Sequence, residues 1–442
     1  LRLEIEKLRG WVNPADAFLA MHSKDSNAFW LDRSTNQDEP VSVIGSAGSV
    51  IEAADGAFAL ASEHLSAINQ AIVSLSDEEV PFSFRPGLVG YLGYELSDEG
   101  NGGIHPKSKF MIVDRAMVFD HSTKSMYFIG LFETRDEFVN WYRAALLRLT
   151  LVGGEVASYK QKTKEPKLIS SSLRHSKQSY LELIQKAKEH IKTGDVFQLC
   201  LTNQISIEHD ADALKTFLSL RESNPAPYGG YLKLGGVEIV SSSPEQFLKV
   251  SASGKVSSKP IKGTRPRSKD LAEDIQIADE LVNNEKERAE NLMIVDLMRN
   301  DLGRVCESDS IVVEKLFDIE SYATVHQLVS TVTGTLRADQ NATSALAACF
   351  PAGSMTGAPK IRAVEILKEL EAAPREIYSG AFGYLGFDGS ADFGMTIRTL
   401  VFEGNSASLG VGGGITIDSD PASEFEETML KSKALLRALG GN

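Results

Sequence analysis

Cysteine is scarce: Cys200, Cys306 and Cys349 are the only three in 442 residues. None belongs to a Cys-x-x-Cys pair or a Cys/His cluster. That excludes a disulfide framework and a structural zinc site, and predicts buried free thiols. Long apolar runs are missing too. No stretch approaches the ~18 uninterrupted apolar residues of a membrane-spanning helix. The opening Leu1-Arg2-Leu3-Glu4-Ile5-Glu6-Lys7 lacks the apolar centre of a secretion signal, so a cytoplasmic protein without a membrane partner is expected. Basic residues are in deficit, 46 Lys and Arg against 60 Asp and Glu, for a net charge of −14. A nucleic-acid partner wants a basic face and is excluded. The same deficit sets a difficulty for an anionic substrate, which needs a local cation. No repeat of fixed period is present, which excludes a solenoid.

What is present is an ordinary globular mixture, 42% hydrophobic and 24% charged. Alternating or continuous apolar runs predict strands over 110–119 and 125–131, with a turn at His121-Ser122-Thr123, and a helix over 138–149. Residues 158–178 are polar and basic and predict a linker, dividing an N-terminal region, 1–165, from a C-terminal region, 166–442. In the second region helices are predicted over 179–192, 285–300 and 423–439. Strands are predicted over 195–205, 231–242, 381–387, 393–402 and 407–417. Leu292, Met293, Ile294, Val295, Leu297 and Met298 ring the middle helix with apolar groups, which predicts its burial. The last helix is expected to open on a capping box of Ser423 and Glu426.

Two pairs of glutamates stand out. Glu287 and Glu290, and likewise Glu424 and Glu427, are three apart on predicted helices, so each pair shares a face. Solvated helix faces are the plain alternative. Carboxylates brought together need a counter-ion, and hard oxygen donors suit Mg²⁺, which could also bridge an acidic protein to an acidic substrate. Arg398 lies in a strand-like run, where it could form a salt bridge or fork a ligand carboxylate. Lys431 stands one turn beyond Glu427 and could simply pair with it. Gly412-Gly413-Gly414 lets backbone amides approach an anion, or marks a bulge. Gly353-Ser354-Met355-Thr356-Gly357-Ala358-Pro359-Lys360 lacks the Gly-Lys-Ser/Thr of a nucleotide-phosphate loop.

Together these segments carry a resemblance. Asp296-Leu297-Met298-Arg299-Asn300-Asp301-Leu302, the 353–360 segment, Tyr378-Ser379-Gly380-Ala381, Ile397-Arg398-Thr399 and 412–427 are similar, in unbroken order, to the chorismate-utilising enzymes. Phe29-Trp30-Leu31-Asp32 and Gly87-Leu88-Val89-Gly90-Tyr91-Leu92-Gly93-Tyr94-Glu95 extend the match more weakly. The resemblance implies an α+β fold of two packed antiparallel sheets, with outer helices and an active-site cleft between the sheets. It implies one Mg²⁺ held by Glu287, Glu290, Glu424 and Glu427, directly or through water. It places Gln198, Thr264, Ser354, Thr356, Tyr378, Arg398, Gly412, Gly413, Gly414 and Lys431 against the substrate.

Three positions select a branch. Anthranilate synthases carry Ala where Lys262 stands in Pro260-Ile261-Lys262-Gly263-Thr264. The branch that aminates chorismate at C4 carries Lys, which its mechanism uses as a nucleophile at C2; Mg²⁺ and Arg265 are expected to favour the free amine. Gln198 stands where water-adding members have a Lys base, so isochorismate and salicylate synthesis are disfavoured. Glu245 matches the family's general acid, a role that wants a carboxyl kept protonated by burial. His326 matches a histidine near the ring carboxylate; a core histidine is the alternative. The expected reaction joins chorismate and ammonia into 4-amino-4-deoxychorismate, on the route to 4-aminobenzoate and folate. None of the three cysteines has the setting of a glutamine-cleaving nucleophile, so the expected partner is a separate glutamine amidotransferase subunit, or one missing from this sequence. Members with a tryptophan pocket often place Ser after a Leu-Asp pair. Here Arg33 holds that place, with Ser34 next, which leaves tryptophan binding by the 1–165 region open. The rival readings are an anthranilate synthase component I and an inactive binding subunit of the same fold.

Overall fold

A computed structural model describes residues 1–76, 79–97 and 103–441. Among these, two antiparallel sheets of twelve and ten strands pack face to face. The first sheet runs, in spatial order, Arg2–Leu8, Ser125–Phe132, Arg115–Asp120, Val41–Ser46, Asn27–Asp32, Tyr228–Leu234, Val237–Ser243, Thr399–Glu403, Ser406–Ile415, Gln198–His209 and Gly357–Ala358. Leu168–Leu173 adds to its Gln198–His209 strand. The second runs Ile261–Pro266, Val325–Thr335, Lys255–Lys259, Gln246–Val250, Ala391–Met395, Ala381–Gly386, Gly87–Leu92, Ser108–Val113 and Val50–Ala53, with Val312–Ser321 beside Val325–Thr335.

Phe29, Leu31, Val43, Tyr91, Phe382 and Tyr384 fill the space between the sheets. Strands Gly87–Leu92 and Ala381–Gly386 are buried at every residue, which is why they read as continuous apolar runs. Outside the first sheet, Phe18, Trp30, Phe217 and Phe402 pack under helices. Outside the second, Ile294, Val295, Met298 and Leu346 do the same. Cys200, Cys306 and Cys349 are free and buried, as expected. No helix among the described residues is long and apolar enough to cross a membrane.

The 1–165 and 166–442 regions share both sheets: Asn27–Asp32 pairs with Tyr228–Leu234 in one, and Gly87–Leu92 with Ala381–Gly386 in the other. The structure corrects several local expectations. The 158–178 stretch is largely structured, with helix Glu155–Lys162 and strand Leu168–Leu173 in or beside it. The buried Lys215 ammonium holds it, donating to the carbonyls of Thr163 at 3.1 Å and Lys164 at 2.8 Å. Residues 231–242 form a hairpin, because Gly235 and Gly236 take φ of 58° and 102°. Helix Glu285–Gly303 buries one face only. Ile294, Val295 and Met298 point inward, whereas Leu292 remains 44% exposed. The last helix, Pro421–Ala438, is capped by Asp420, whose carboxylate accepts the Ser423 amide at 2.9 Å; Ser423 lies inside the helix and forms no box with Glu426. Arg33 is buried between the sheets, over the rings of Tyr228 and Phe382 and 3.6 Å from Asp392.

Candidate active site

Two corners build the cleft. The chain passes from the first sheet to the second at Pro244-Glu245, and returns at Thr396-Ile397-Arg398. The corners bond to each other, the Met395 amide to the Glu245 carbonyl at 3.0 Å and the Ser242 amide to the Arg398 carbonyl at 3.1 Å. Arg398 takes a left-handed φ of 50°, which breaks the strand expected over 393–402. Pairing between Thr399–Glu403 and Ser406–Ile415 therefore stops at Leu400 and Leu409. Beyond that point the glycine strand has an open edge.

Its other edge faces Gln198–His209, with Thr202, Leu201 and Cys200 opposite Gly412, Gly413 and Gly414. The Cys200 amide bonds to the Thr356 carbonyl, and its carbonyl accepts from Arg375, so both turn away from the glycines. Antiparallel alternation then turns the polar groups of Gly412 and Gly414 toward the open edge. Lys431 Nζ takes the Gly412 carbonyl at 3.0 Å. The Tyr378 ring lies flush on Gly410, where a Cβ would stand 2.0 Å from the ring. The Arg398 guanidinium has no hydrogen bond or ion pair among the described residues. Burial lowers its pKa from the ordinary value, opposed by the charges of Glu427 and Tyr378.

Lys262 enters from the second sheet. The register of Ile261–Pro266 slips between Ile261 and Thr264, and Gly263 takes φ of 85°, a bulge that re-aims the lysine. A Cβ on Gly414 would stand 3.3 Å from Lys262 Nζ and 2.2 Å from Gln198 Nε2, so glycine here makes room for both. The Oε1 of buried Gln198 has no partner among the described residues. Glu245 is 7% exposed. Burial pushes its carboxyl up to about 7, against the pull of a hydrogen bond from Ser354, the charge of Lys262 and the Ile261 amide.

Not every expected residue faces the cleft. Thr356 spends its hydroxyl on the carbonyls of Ala352 and Gly353. His326 is buried, with one ring nitrogen 3.0 Å from Asp274 and the other 2.8 Å from Ser321. Arg265, expected to act on Lys262, is turned onto Glu280 at 3.0 Å and Glu287 at 3.3 Å.

The glutamate pairs face each other across the cleft mouth from helices Glu285–Gly303 and Pro421–Ala438. Lys286, which the sequence reading missed, reaches both: Nζ is 3.9 Å from Glu290 and 3.8 Å from Glu424. Its signal was the i, i+4 spacing to Glu290. Burial raises the Glu290 pKa, with Glu287 and Glu424 adding to it and Lys262 and Lys286 opposing. Glu427 lies below its ordinary value, because Lys431, Lys286 and Lys262 outweigh its burial. The four carboxylates do not close on one point, and no three metal-ligating side chains among the described residues gather tightly enough to hold an ion. They are all hard oxygen donors, however, near enough to share Lys286 and otherwise held by Arg265, Lys431 and the Ser419 hydroxyl, and that chemistry fits Mg²⁺.

A glycine edge, a guanidinium without a partner among the described residues, a lysine and a buried carboxyl thus share one cleft. The chain belongs to the chorismate binding enzyme family, whose sequence profile matches residues 26–437. It is 40% identical over 449 residues to the aminodeoxychorismate synthase of Streptomyces griseus, covering 96% of this chain and 62% of that protein. Anthranilate synthase component 1 of Streptomyces coelicolor is 39% identical over 375 residues, 80% of this chain and 73% of that one. The crystal structure of anthranilate synthase component I from Streptococcus pneumoniae TIGR4 superposes with a TM-score of 0.76 at 27% identity, covering 98% of this chain and 92% of that chain. The α+β fold of two antiparallel sheets with outer helices is thus the family's. The chain spans about 62% of the length of the Streptomyces griseus relative.

Proposed function

We propose that the chain aminates chorismate at C4 with ammonia, giving 4-amino-4-deoxychorismate. The observation that carries this reading is Lys262 Nζ set beside Gly414, in the cleft that also holds Glu245, a buried carboxyl pushed up to about 7. Arg398, Tyr378, Lys431 and the open amides at Gly412 and Gly414 bind and orient the substrate's carboxylates. Glu287, Glu290, Glu424 and Glu427 would hold Mg²⁺, which supplies the positive charge that an anionic ring needs in an acidic protein. Lys262 Nζ bonds to C2 while the C4 hydroxyl leaves as water with the Glu245 proton. Ammonia then adds at C4 and the C2–Nζ bond breaks, so the enolpyruvyl ether remains.

Gln198 is no base for water, which leaves C2 to the lysine. Ammonia comes from a glutamine amidotransferase outside these 442 residues, on another chain or fused to this one, since the three buried cysteines offer no nucleophile for glutamine. Similarity to anthranilate synthase component 1 favours a second reading, ortho-amination with loss of pyruvate. Lys262 weighs against it.

The test is the product formed from chorismate, Mg²⁺ and ammonium, separated and identified by mass. 4-Amino-4-deoxychorismate, with Lys262→Ala losing turnover, is expected. Fluorescent anthranilate would establish the second reading, and unchanged chorismate would defeat both.

A further inference from the structure

Strand Gln198–His209 backs the glycine strand and so forms one wall of the cleft. Its far edge is paired only at its two ends, by Ala358 and Gly357 at Gln198 and Leu199, and by Leu168–Leu173 from Ile205 onward. From Cys200 to Thr202 no strand continues, and an orphaned carbonyl and amide would be left in the interior. Two side chains take the missing strand's place. Arg375 Nη2 donates to the Cys200 carbonyl at 2.7 Å, and Glu371 Oε1 accepts the Thr202 amide at 2.8 Å. The two are locked to each other, Nε to Oε2 at 2.8 Å and Nη2 to Oε1 at 2.7 Å.

The same guanidinium reaches the opposite side. Arg375 Nη1 donates to the Met355 carbonyl at 2.6 Å, one residue from Ser354, whose hydroxyl bonds the Glu245 carboxyl. One planar group, 4% exposed, thus spans the glycine wall and the loop that holds the acid. Its own place is fixed from the N-terminal half. The Tyr94 ring lies 4.4 Å from the guanidinium carbon. The Glu95 carboxylate accepts the amides of Arg375 at 2.6 Å and Glu376 at 2.9 Å. The 87–95 stretch supplies none of the cleft groups described above, and this seat for Arg375 gives it a role there.

We infer that Arg375, locked by Glu371 and seated on Tyr94 and Glu95, is a positioning residue that sets the glycine wall against the Glu245 loop. It touches no substrate. A buried ion pair is a weak stabiliser compared with apolar side chains of the same volume, but apolar groups could not satisfy the Cys200 carbonyl, the Thr202 amide and the Met355 carbonyl together. The rigid fork of an arginine does so at fixed spacing, which a lysine cannot. The catalytic side of this inference rests on the chorismate reading above; the coupling of the two walls does not.

The experiment compares wild type, Arg375→Lys, Tyr94→Leu and Tyr94→Phe. Hydrogen exchange is followed on the substrate-free proteins, and kcat, KM and the pH profile on the same samples. In Arg375→Lys, exchange is expected to rise at 200–202 and 353–356 together, with the sheet edge Arg2–Leu8 unchanged. A displacement of that kind costs on the order of a hundredfold in kcat/KM, and it moves the alkaline limb that reports Glu245. Tyr94→Leu should shift the same segments to a lesser degree, which keeps the inference testable if Arg375→Lys fails to fold. Tyr94→Phe removes only a hydroxyl without a partner among the described residues and should match wild type. Uniform exchange changes, with wild-type KM and pH profile in the folded fraction, would overturn the inference. A wild type that does not convert chorismate would instead defeat the functional reading, and the exchange pattern would still decide the coupling.

Discussion

Glu245 titrates near 7 because its neutral form suits a dry corner better than its anion, and the mutational consequences follow in sign. Its ordinary value is 4.5 and its folded value about 7. Below both values the carboxyl is protonated in either state. As pH rises between them the unfolded chain releases the proton first, so stability falls, by on the order of 3 kcal/mol once pH exceeds the folded value. Glu245→Gln should therefore raise the melting temperature at about pH 8 and leave it unchanged near pH 4, while kcat drops roughly 10²–10⁴-fold. Loss of activity without the pH-dependent gain in stability would mean that the carboxyl is not held neutral. Arg398 offers a second trade. Its left-handed backbone costs an L-residue roughly 1–2 kcal/mol, so Arg398→Gly should be at least as stable as wild type. Chorismate affinity should fall tenfold or more with the loss of a charged hydrogen bond of about 1.5–3 kcal/mol. Unchanged affinity in a titration would remove Arg398 from the site. Both side chains were identifiable in the sequence by resemblance. That both sit on sheet-to-sheet corners was not, because the Arg398 backbone conformation is imposed by the chain returning to the first sheet.

At the scale of elements, the sequence misplaced boundaries where local pattern and tertiary pairing compete. Residues 231–242 alternate well enough for one strand, yet two glycines with positive φ fold them into a hairpin. Residues 158–178 look like a linker because their own side chains are polar. Their order comes from elsewhere, from the Lys215 ammonium on the carbonyls of Thr163 and Lys164 and the Glu165 carboxylate at 3.1 Å. Wild type should resist trypsin across 160–167. Lys215→Met should be cut there about tenfold faster, the equivalent of about 1.4 kcal/mol of local opening energy, with turnover of the uncut protein unchanged. Equal cutting rates would show the segment to be held by other contacts. The C-terminal helix was legible within two residues, because its apolar positions repeat at helical spacing. Its cap was not: Asp420 and Ser423 are both good caps, and only the path of the preceding loop decides between them.

Over the whole molecule, a net charge of −14 coexists with a cleft that gathers Lys262, Lys286, Arg398 and Lys431. Composition gave the sign of the whole and concealed that these four cations are gathered among the glutamates of the cleft. Both sheets take strands from either side of residue 165, so neither half can bury its apolar faces alone. Trp11, Trp30 and Trp141 all lie before that residue, while the helix-rich part of the chain lies after it. Unfolding followed by tryptophan fluorescence and by far-UV circular dichroism should therefore give coincident midpoints, and fragments 1–165 and 166–442 should each lack a cooperative transition. Two separated midpoints would show that the two regions unfold independently.

The sequence alone determined the chemistry available to this protein: four glutamates in two helical pairs, a lysine, a glutamate and an arginine in family order, and the absence of disulfides and membrane-spanning runs. Those properties follow from residue identity and short-range spacing, which survive any arrangement of the elements. The tertiary structure decided which groups meet. It set Lys262 beside Gly414, buried Glu245, left Arg398 without a partner among the described residues and turned Thr356 and His326 inward. Each of these depends on pairings between residues far apart in the chain, where burial and strand register, rather than local propensity, set the energy.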